Sequence, residues 1–448
     1  MSKKIISLKD FGKDFKWGVA SAAYQIEGNY QADGKSESVW DRFSHTKGKI
    51  LDKTNGDDAC DFYNRYKEDI ANIKTMNMKV NRFSTSWTRI LPDGIGKVNQ
   101  KGIDFYHKVI DATLEAEIEP WITLYHWDLP QILEDKGGWK NREIIKWFSE
   151  YVDVVTRNYG EKVKNWMVLN EPTIFTAAGY MLGVHAPGKK GIGNFMPAAH
   201  HAAMCQAEGA RIIRQNVSDA NIGTTFSASH VEPINDKKCN IKAAARVDAL
   251  INRMFIEPAL GMGYPAEVEK MFGCWMKKHI KEGDIASLKF DFDFVGLQTY
   301  TRYLAKFCLF PPILFAKEIA PKKRGNPTTD MGWEIYPDGI YHLLKKYSKY
   351  PIKNIYVTEN GCAFPDVISN GVVNDEKRIE YFNDYLSAVL KAKNEGINVK
   401  GYFVWSLIDN FEWAEGLRPR FGLVYCDYKT QQRTIKNSGL WFKELLSE

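Results

Sequence analysis

A chain of 448 residues that is 44% hydrophobic and 26% charged can bury a large core and lacks the composition of a disordered segment. Its 61 Lys and Arg against 55 Asp and Glu leave a formal net charge of +6, spread along the chain rather than massed in tracts, so no nucleic-acid partner is expected. The most apolar window, residues 307–316, contains Pro311 and Pro312 and is too short to span a bilayer; it reads as a loop, and no membrane partner is expected.

Residues 1–10 are basic but hold no sustained apolar segment or cleavage site, so no export signal is expected. Seven cysteines stand far apart with no C-x-x-C pair, which suits a reduced, cytoplasmic chain. Residues 15–21 form a strand-like run that leads to Gln25 just past its end. Residues 57–76 carry Ile70, Ile73 and Met76 at helical spacing, and a second strand follows over 80–87 with Arg82 inside it. A helix over 102–116 precedes the strand 120–128, which ends in His126, Trp127 and Asp128.

The clearest helix spans 141–160, where Asn141 can cap it, Ile144, Phe148, Tyr151, Val152 and Val155 form one face, and Gly160 can close it. The fourth strand, 166–171, ends in Asn170 and Glu171, and Pro172 should hold Glu171 extended at the strand's lip. An alanine-rich helix over 197–215, a fifth strand over 221–227 and a long helix over 241–260 follow. The sixth strand, 292–297, runs out into Gln298, Thr299 and Tyr300, and a Lys- and Pro-rich insertion fills 307–327. A helix around 337–347, the seventh strand 355–359 ending in Glu359, a helix over 375–394, the eighth strand 400–405 ending in Trp405, and a helix over 434–446 complete the chain.

Eight apolar runs alternating with helices call for parallel strands with right-handed crossovers, which close as a (β/α)8 TIM barrel. No linker divides the chain, so residues 1–448 are expected to form a single barrel catalytic domain. An open doubly wound sheet is the alternative, but neither G-x-G-x-x-G after the first strand nor a Walker sequence is present, and no cofactor is expected.

In a barrel every strand end faces one rim, so Gln25, Arg82, His126, Asn170, Glu171, Tyr300, Glu359 and Trp405 should converge. Two carboxylates there suit glycosidic-bond cleavage, which needs an acid on the leaving oxygen and a negative group at the anomeric carbon. Arg82 can keep Glu359 ionised, and that charge can keep Glu171 protonated. About 5 to 5.5 Å should separate the two for a retaining reaction. Trp127, Trp333, Trp405 and Trp413 offer aromatic faces to a sugar, and Gln25, His126, Asn170 and Glu412 offer polar groups to its hydroxyls.

From about Phe15 onward the chain resembles glycoside hydrolase family 1, the β-glucosidase family. The N-terminal run 15–28, Tyr125-His126-Trp127-Asp128-Leu129-Pro130, Leu169-Asn170-Glu171-Pro172, Tyr356-Val357-Thr358-Glu359-Asn360-Gly361 and the run 405–413 carry that resemblance. It implies Glu171 as acid/base, Glu359 as nucleophile, and a glycone pocket lined by Gln25, His126, Asn170, Tyr300, Trp405, Glu412 and Trp413. It implies Trp333 as a platform for the leaving group and a cis peptide between Trp405 and Ser406. Gln298-Thr299-Tyr300 departs from the family's usual Asn-Tyr-Tyr, which puts the hydrogen-bonding role of that first position in doubt for Gln298. Asn81, Thr88 and Ser36-Glu37-Ser38 are further departures, and none removes a catalytic group.

The expected substrates are β-glucosides and short cello-oligosaccharides, with β-galactosides and β-fucosides as further candidates. Two rivals share the fold: a 6-phospho-β-glycosidase, against which Glu412 argues by repelling a phosphate dianion, and a non-catalytic sugar binder, against which both carboxylates argue. A metalloenzyme would need ligand spacing that the pair His200-His201 does not supply, so no metal is expected.

Overall fold

Eight short apolar strands, each followed by a helix, satisfy their backbone polar groups best as a parallel sheet closed on itself. The computed structural model describes residues 6–310 and 312–447. Its barrel strands are β1 (Lys16–Ala20), β2 (Val80–Ser84), β3 (Glu119–Tyr125), β4 (Asn165–Asn170), β5 (Asn221–Ser227), β6 (Phe294–Gln298), β7 (Ile355–Asn360) and β8 (Val399–Trp405). Each pairs in parallel with its chain neighbours, and β8 closes on β1 with Lys16 opposite Gly401 and Ala20 opposite Trp405. The main helices are α1 (Phe62–Thr75), α2 (Gln100–Glu115), α3 (Ile144–Tyr159), α4 (Ile192–Asn216), α5 (Lys238–Asp248), α6 (Asp338–Tyr347), α7 (Glu376–Asn394) and α8 (Asn437–Leu445). No helix among the described residues is long and apolar enough to cross a membrane.

α3 ends at Tyr159 with Gly160 as its cap, as expected, although the cap is right-handed, with φ −63°; a Cβ there would lie 2.5 Å from Val217 Cγ2, so close approach explains the glycine. Two local expectations need correction. The long helix over 241–260 is broken: α5 ends at Asp248, and a π turn spans Ala249–Arg253. That wider turn carries Asn252, whose side chain accepts from Ser229 N and donates to Ser229 O, fastening the segment after β5. The insertion after β6 is not all loop, because Arg302–Phe307 and Ala316–Glu318 join His230–Pro233 in a small three-stranded sheet. Ala305 and Ala316 let it lie close on Ala243, Ala244 and Val247 of α5. Pro311 and the first five residues of the N-terminal reading lie outside the described residues.

Inside the barrel Val80, Trp121, Met167, Phe294, Tyr356 and Phe403 form one buried cluster. The Trp121 ring lies 5.3, 5.0 and 5.1 Å from the rings of Phe294, Tyr356 and Phe403. β5 contributes Gly223 here, because a Cβ would meet the Phe294 ring at 2.3 Å. This layer is a solid floor, and the side chains one layer nearer the C-terminal strand ends stand on it.

Candidate active site

Arg82 lies two residues beyond Val80 on the inward face of β2 and is fully buried. Its Nε donates to Thr123 Oγ1 at 3.1 Å, its Nη2 donates to Asn170 Oδ1 at 2.6 Å, and its Nη1 pairs with Glu359 Oε1. Asn170 Oδ1 also accepts from Thr225 Oγ1 at 3.1 Å and Gln298 Nε2 at 2.8 Å. An oxygen facing three donors fixes the amide's orientation, so Asn170 Nδ2 donates to His126 Nε2 at 2.9 Å. His126 is therefore neutral with its proton on Nδ1; burial, then the Arg82 charge, hold its pKa well below the ordinary histidine value.

β4 ends at Asn170, and Glu171 is left-handed at φ 45° and ψ 63° rather than extended. Pro172 is the first residue of the short helix Pro172–Thr176, and the chain must reverse immediately before it. Trp127 (φ 78°) and Trp413 (φ 47°) share this backbone region. Each such residue costs about 1–3 kcal/mol, and all three face the same cavity.

Glu359 and Glu171 are both buried, but their partners differ. Burial raises the pKa of Glu359, opposed by the Arg82 charge and by hydrogen bonds from Arg82 and Tyr300. Burial raises that of Glu171 too, and the Glu359 charge adds to it, while a hydrogen bond to Ser227 and the Arg82 charge oppose it. The two titrate as a pair, and Glu359, facing the guanidinium, is the member that ionises first.

The cavity above them has a volume of about 430 Å³. His126, Trp127, Asn170, Glu171, Tyr300, Trp333, Glu359, Trp405, Glu412 and Trp413 all stand in its wall, while Gln25 and Arg82 lie buried behind it. Gln25 Nε2 donates to Asn410 Oδ1 at 3.0 Å and to the Phe411 carbonyl at 2.9 Å. Trp413 packs 4.5 Å from Trp127, and Trp333 packs 5.2 Å from Tyr300 in a separate aromatic group with Phe421. The bond between Trp405 and Ser406 is cis. His126 Nδ1 and Glu412 Oε2, on residues of the cavity wall, and Gln25 Oε1, behind it, are buried without a matched hydrogen-bond partner.

His185, Ser227 and Phe421 also line the cavity and were not expected from the sequence. His185, whose pKa burial lowers to about 4, packs its ring 5.7 Å from Trp127, yet it sits in a loop before the cis Ala186-Pro187 bond and no strand end marks it. Ser227 carried a usable signal as the last residue of β5. Gln298, whose role the sequence put in doubt, donates to Glu359 Oε1 at 2.7 Å. His200 and His201 are engaged elsewhere: His200 bonds Tyr264 and Asp284, and His201 Nδ1 donates to the Trp139 carbonyl.

A parallel barrel that brings two buried carboxylates to one aromatic-walled pocket is the arrangement of a glycoside hydrolase. The comparisons narrow the class. The profile of glycosyl hydrolase family 1 matches residues 7–448, and the chain belongs to that family. It is 45% identical to β-glucosidase A of Thermotoga maritima over 98% of both chains, and 44% identical to β-glucosidase A of Acetivibrio thermocellus over 97% of this chain and 98% of that one. The structure of the β-glucosidase from Thermotoga maritima in complex with deoxynojirimycin superposes with a TM-score of 0.95 at 44% identity, covering 98% of this chain and 99% of that one.

Proposed function

We propose that the protein is a retaining β-glucosidase that removes terminal glucosyl residues from β-glucosides and short cello-oligosaccharides by double displacement. The observation that carries this reading is the asymmetry of the two buried carboxylates, one held by Arg82, Gln298 and Tyr300 and the other without a direct cationic partner. Glu359, ionised against Arg82, attacks the anomeric carbon while Glu171, protonated, gives its proton to the leaving oxygen. Glu171 then takes a proton from water, and that water displaces Glu359 from the anomeric carbon. The free polar atoms of His126, Gln25 and Glu412 receive the sugar hydroxyls, Trp405 and Trp413 cover its apolar faces, and Trp333 supports the leaving group.

Glu412 adds a refinement. Burial, then the Glu359 charge, push its pKa up to about 8, so it is largely uncharged at neutral pH before a sugar arrives and cannot alone repel a phosphate. Discrimination against 6-phosphorylated sugars rests instead on the wall as a whole, which holds Glu171, Glu359, Glu412 and Glu415 but no Lys or Arg to pair with a dianion. The seven free thiols suit a reducing compartment, and on that ground we place the enzyme in the cytoplasm, working as one catalytic unit over its whole length. The test is the anomer released first from an aryl β-glucoside, followed by proton NMR. β-Glucose appearing before mutarotation is the expected result; the α-anomer would remove Glu359 from the nucleophile role.

A further inference from the structure

We propose that Gln298 is a positioning residue that fixes the reactive orientation of Glu359 by tying it to Asn170; the proposal rests on Glu359 being the nucleophile. Gln298 ends β6 directly opposite Glu359 in the sheet register and is fully buried. Its Nε2 donates to Glu359 Oε1 at 2.7 Å and to Asn170 Oδ1 at 2.8 Å. Arg82 grips the same two oxygens, so the carboxylate and the amide are bridged twice, once by a guanidinium and once by a carboxamide. Glu359 Oε1 thus carries two donors and Oε2 carries one, the Tyr300 hydroxyl at 2.7 Å. Tyr300 stands in the cavity wall and Gln298 does not, so Oε2 is the oxygen presented to the pocket.

A second feature separates this role from plain packing. The Gln298 Oε1 atom is buried without a donor, an unfavourable state that an apolar side chain of the same size would avoid. Every hydrogen bond from this side chain goes to the site. An Asn here would be shorter by one methylene, about 1.5 Å, which draws its donor back from the two acceptors.

The test compares wild type with Gln298→Met, which keeps length and loses the donor, and with Gln298→Asn. Each is treated with a 2-deoxy-2-fluoroglucoside bearing a good leaving group, and the labelled peptide is mapped by mass spectrometry alongside the pH profile of kcat/KM. Wild type should label on Glu359; a label on another residue would overturn the nucleophile assignment itself. With Glu359 labelled, Gln298→Met should label about 10- to 100-fold more slowly, the size expected for one hydrogen bond to a charged group. Its acid limb should move up by about one pH unit, because the lost donor favoured the ionised carboxylate. KM should change far less than kcat. Wild-type labelling rate and an unmoved acid limb in folded Gln298→Met would overturn the proposal. Should that variant not fold, Gln298→Asn decides by the same two readouts.

Discussion

Replacing Glu359 by Gln removes one charge and keeps the shape, and the pKa of Glu171 should then fall. The charge on Glu359 is the second cause, after burial, of the raised pKa of Glu171. At a retaining separation of about 5 Å and an effective dielectric constant of about 20, Coulomb's law gives about 3 kcal/mol, or about two pH units. Arg82, deprived of its partner, pulls the same way, while burial still holds Glu171 above an ordinary carboxylate. The assay is a carbon NMR titration of protein labelled at the glutamate carboxyl carbons, with Glu171 assigned by the resonance that disappears in the Glu171→Gln, Glu359→Gln double variant. A Glu171 carboxyl that titrates in Glu359→Gln where it does in wild type, or higher, would refute the charge coupling and with it the division of labour between the two groups.

Glu171→Ala should retain most of its glycosylation rate on dinitrophenyl glucoside, lose at least about a hundred-fold on phenyl or alkyl glucosides, and release β-glucosyl azide when azide is added; equal losses for all leaving groups would contradict the acid/base role. Glucoside and 6-phosphoglucoside of the same phenol, assayed side by side, should differ by at least about a hundred-fold in kcat/KM in favour of the neutral sugar, since a single unpaired buried charge costs several kcal/mol. Because Glu412 has its pKa raised to about 8 in the empty pocket, and hydroxyl donors favour its ionised form, glucose binding at pH 7 should release a fraction of a proton. Calorimetry in buffers of different ionisation enthalpy reads that release, and Glu412→Gln should abolish it.

The barrel was legible because its signal repeats: eight runs with polar ends leave little freedom, and each bounded its strand to within a few residues. What resisted reading was set by contacts distant in sequence. Gly160 caps α3 where the pattern places it, but the reason for a glycine there is Val217, which excludes a side chain. The segment 241–260 contains Pro258, a break signal that the long-helix expectation passes over, and its π turn carries Asn252, which reaches Ser229 in the connection after β5. Glu171 was expected to be extended by the ordinary pre-proline preference, which the immediate start of a helix at Pro172 overrides. The length of Gln298 puts its role in doubt on the sequence alone, and only the position of β6 against Arg82 and Asn170 gives that length its use. Glu171, Glu359, Trp127 and Trp405 were readable because each stands at or near a strand end, whereas Trp333 and Trp413 lie well beyond any barrel strand and rest on the resemblance alone. His185 was not readable, because the loop that delivers it follows no repeating rule.

The floor of aromatic side chains around Trp121 governs traffic as well as packing. A filled barrel has no passage along its axis, so a ligand reaches the cavity only from the rim at the C-terminal strand ends. Entry and exit then share one mouth. In the double displacement proposed for this site the leaving group departs first, and the glucosyl group stays until water or another hydroxyl compound has come in behind it. Accumulating glucose therefore competes with substrate for the innermost position, and a concentrated alcohol or sugar at the mouth competes with water for the glycosyl group. Turnover thus depends on how quickly the products are removed through that one rim.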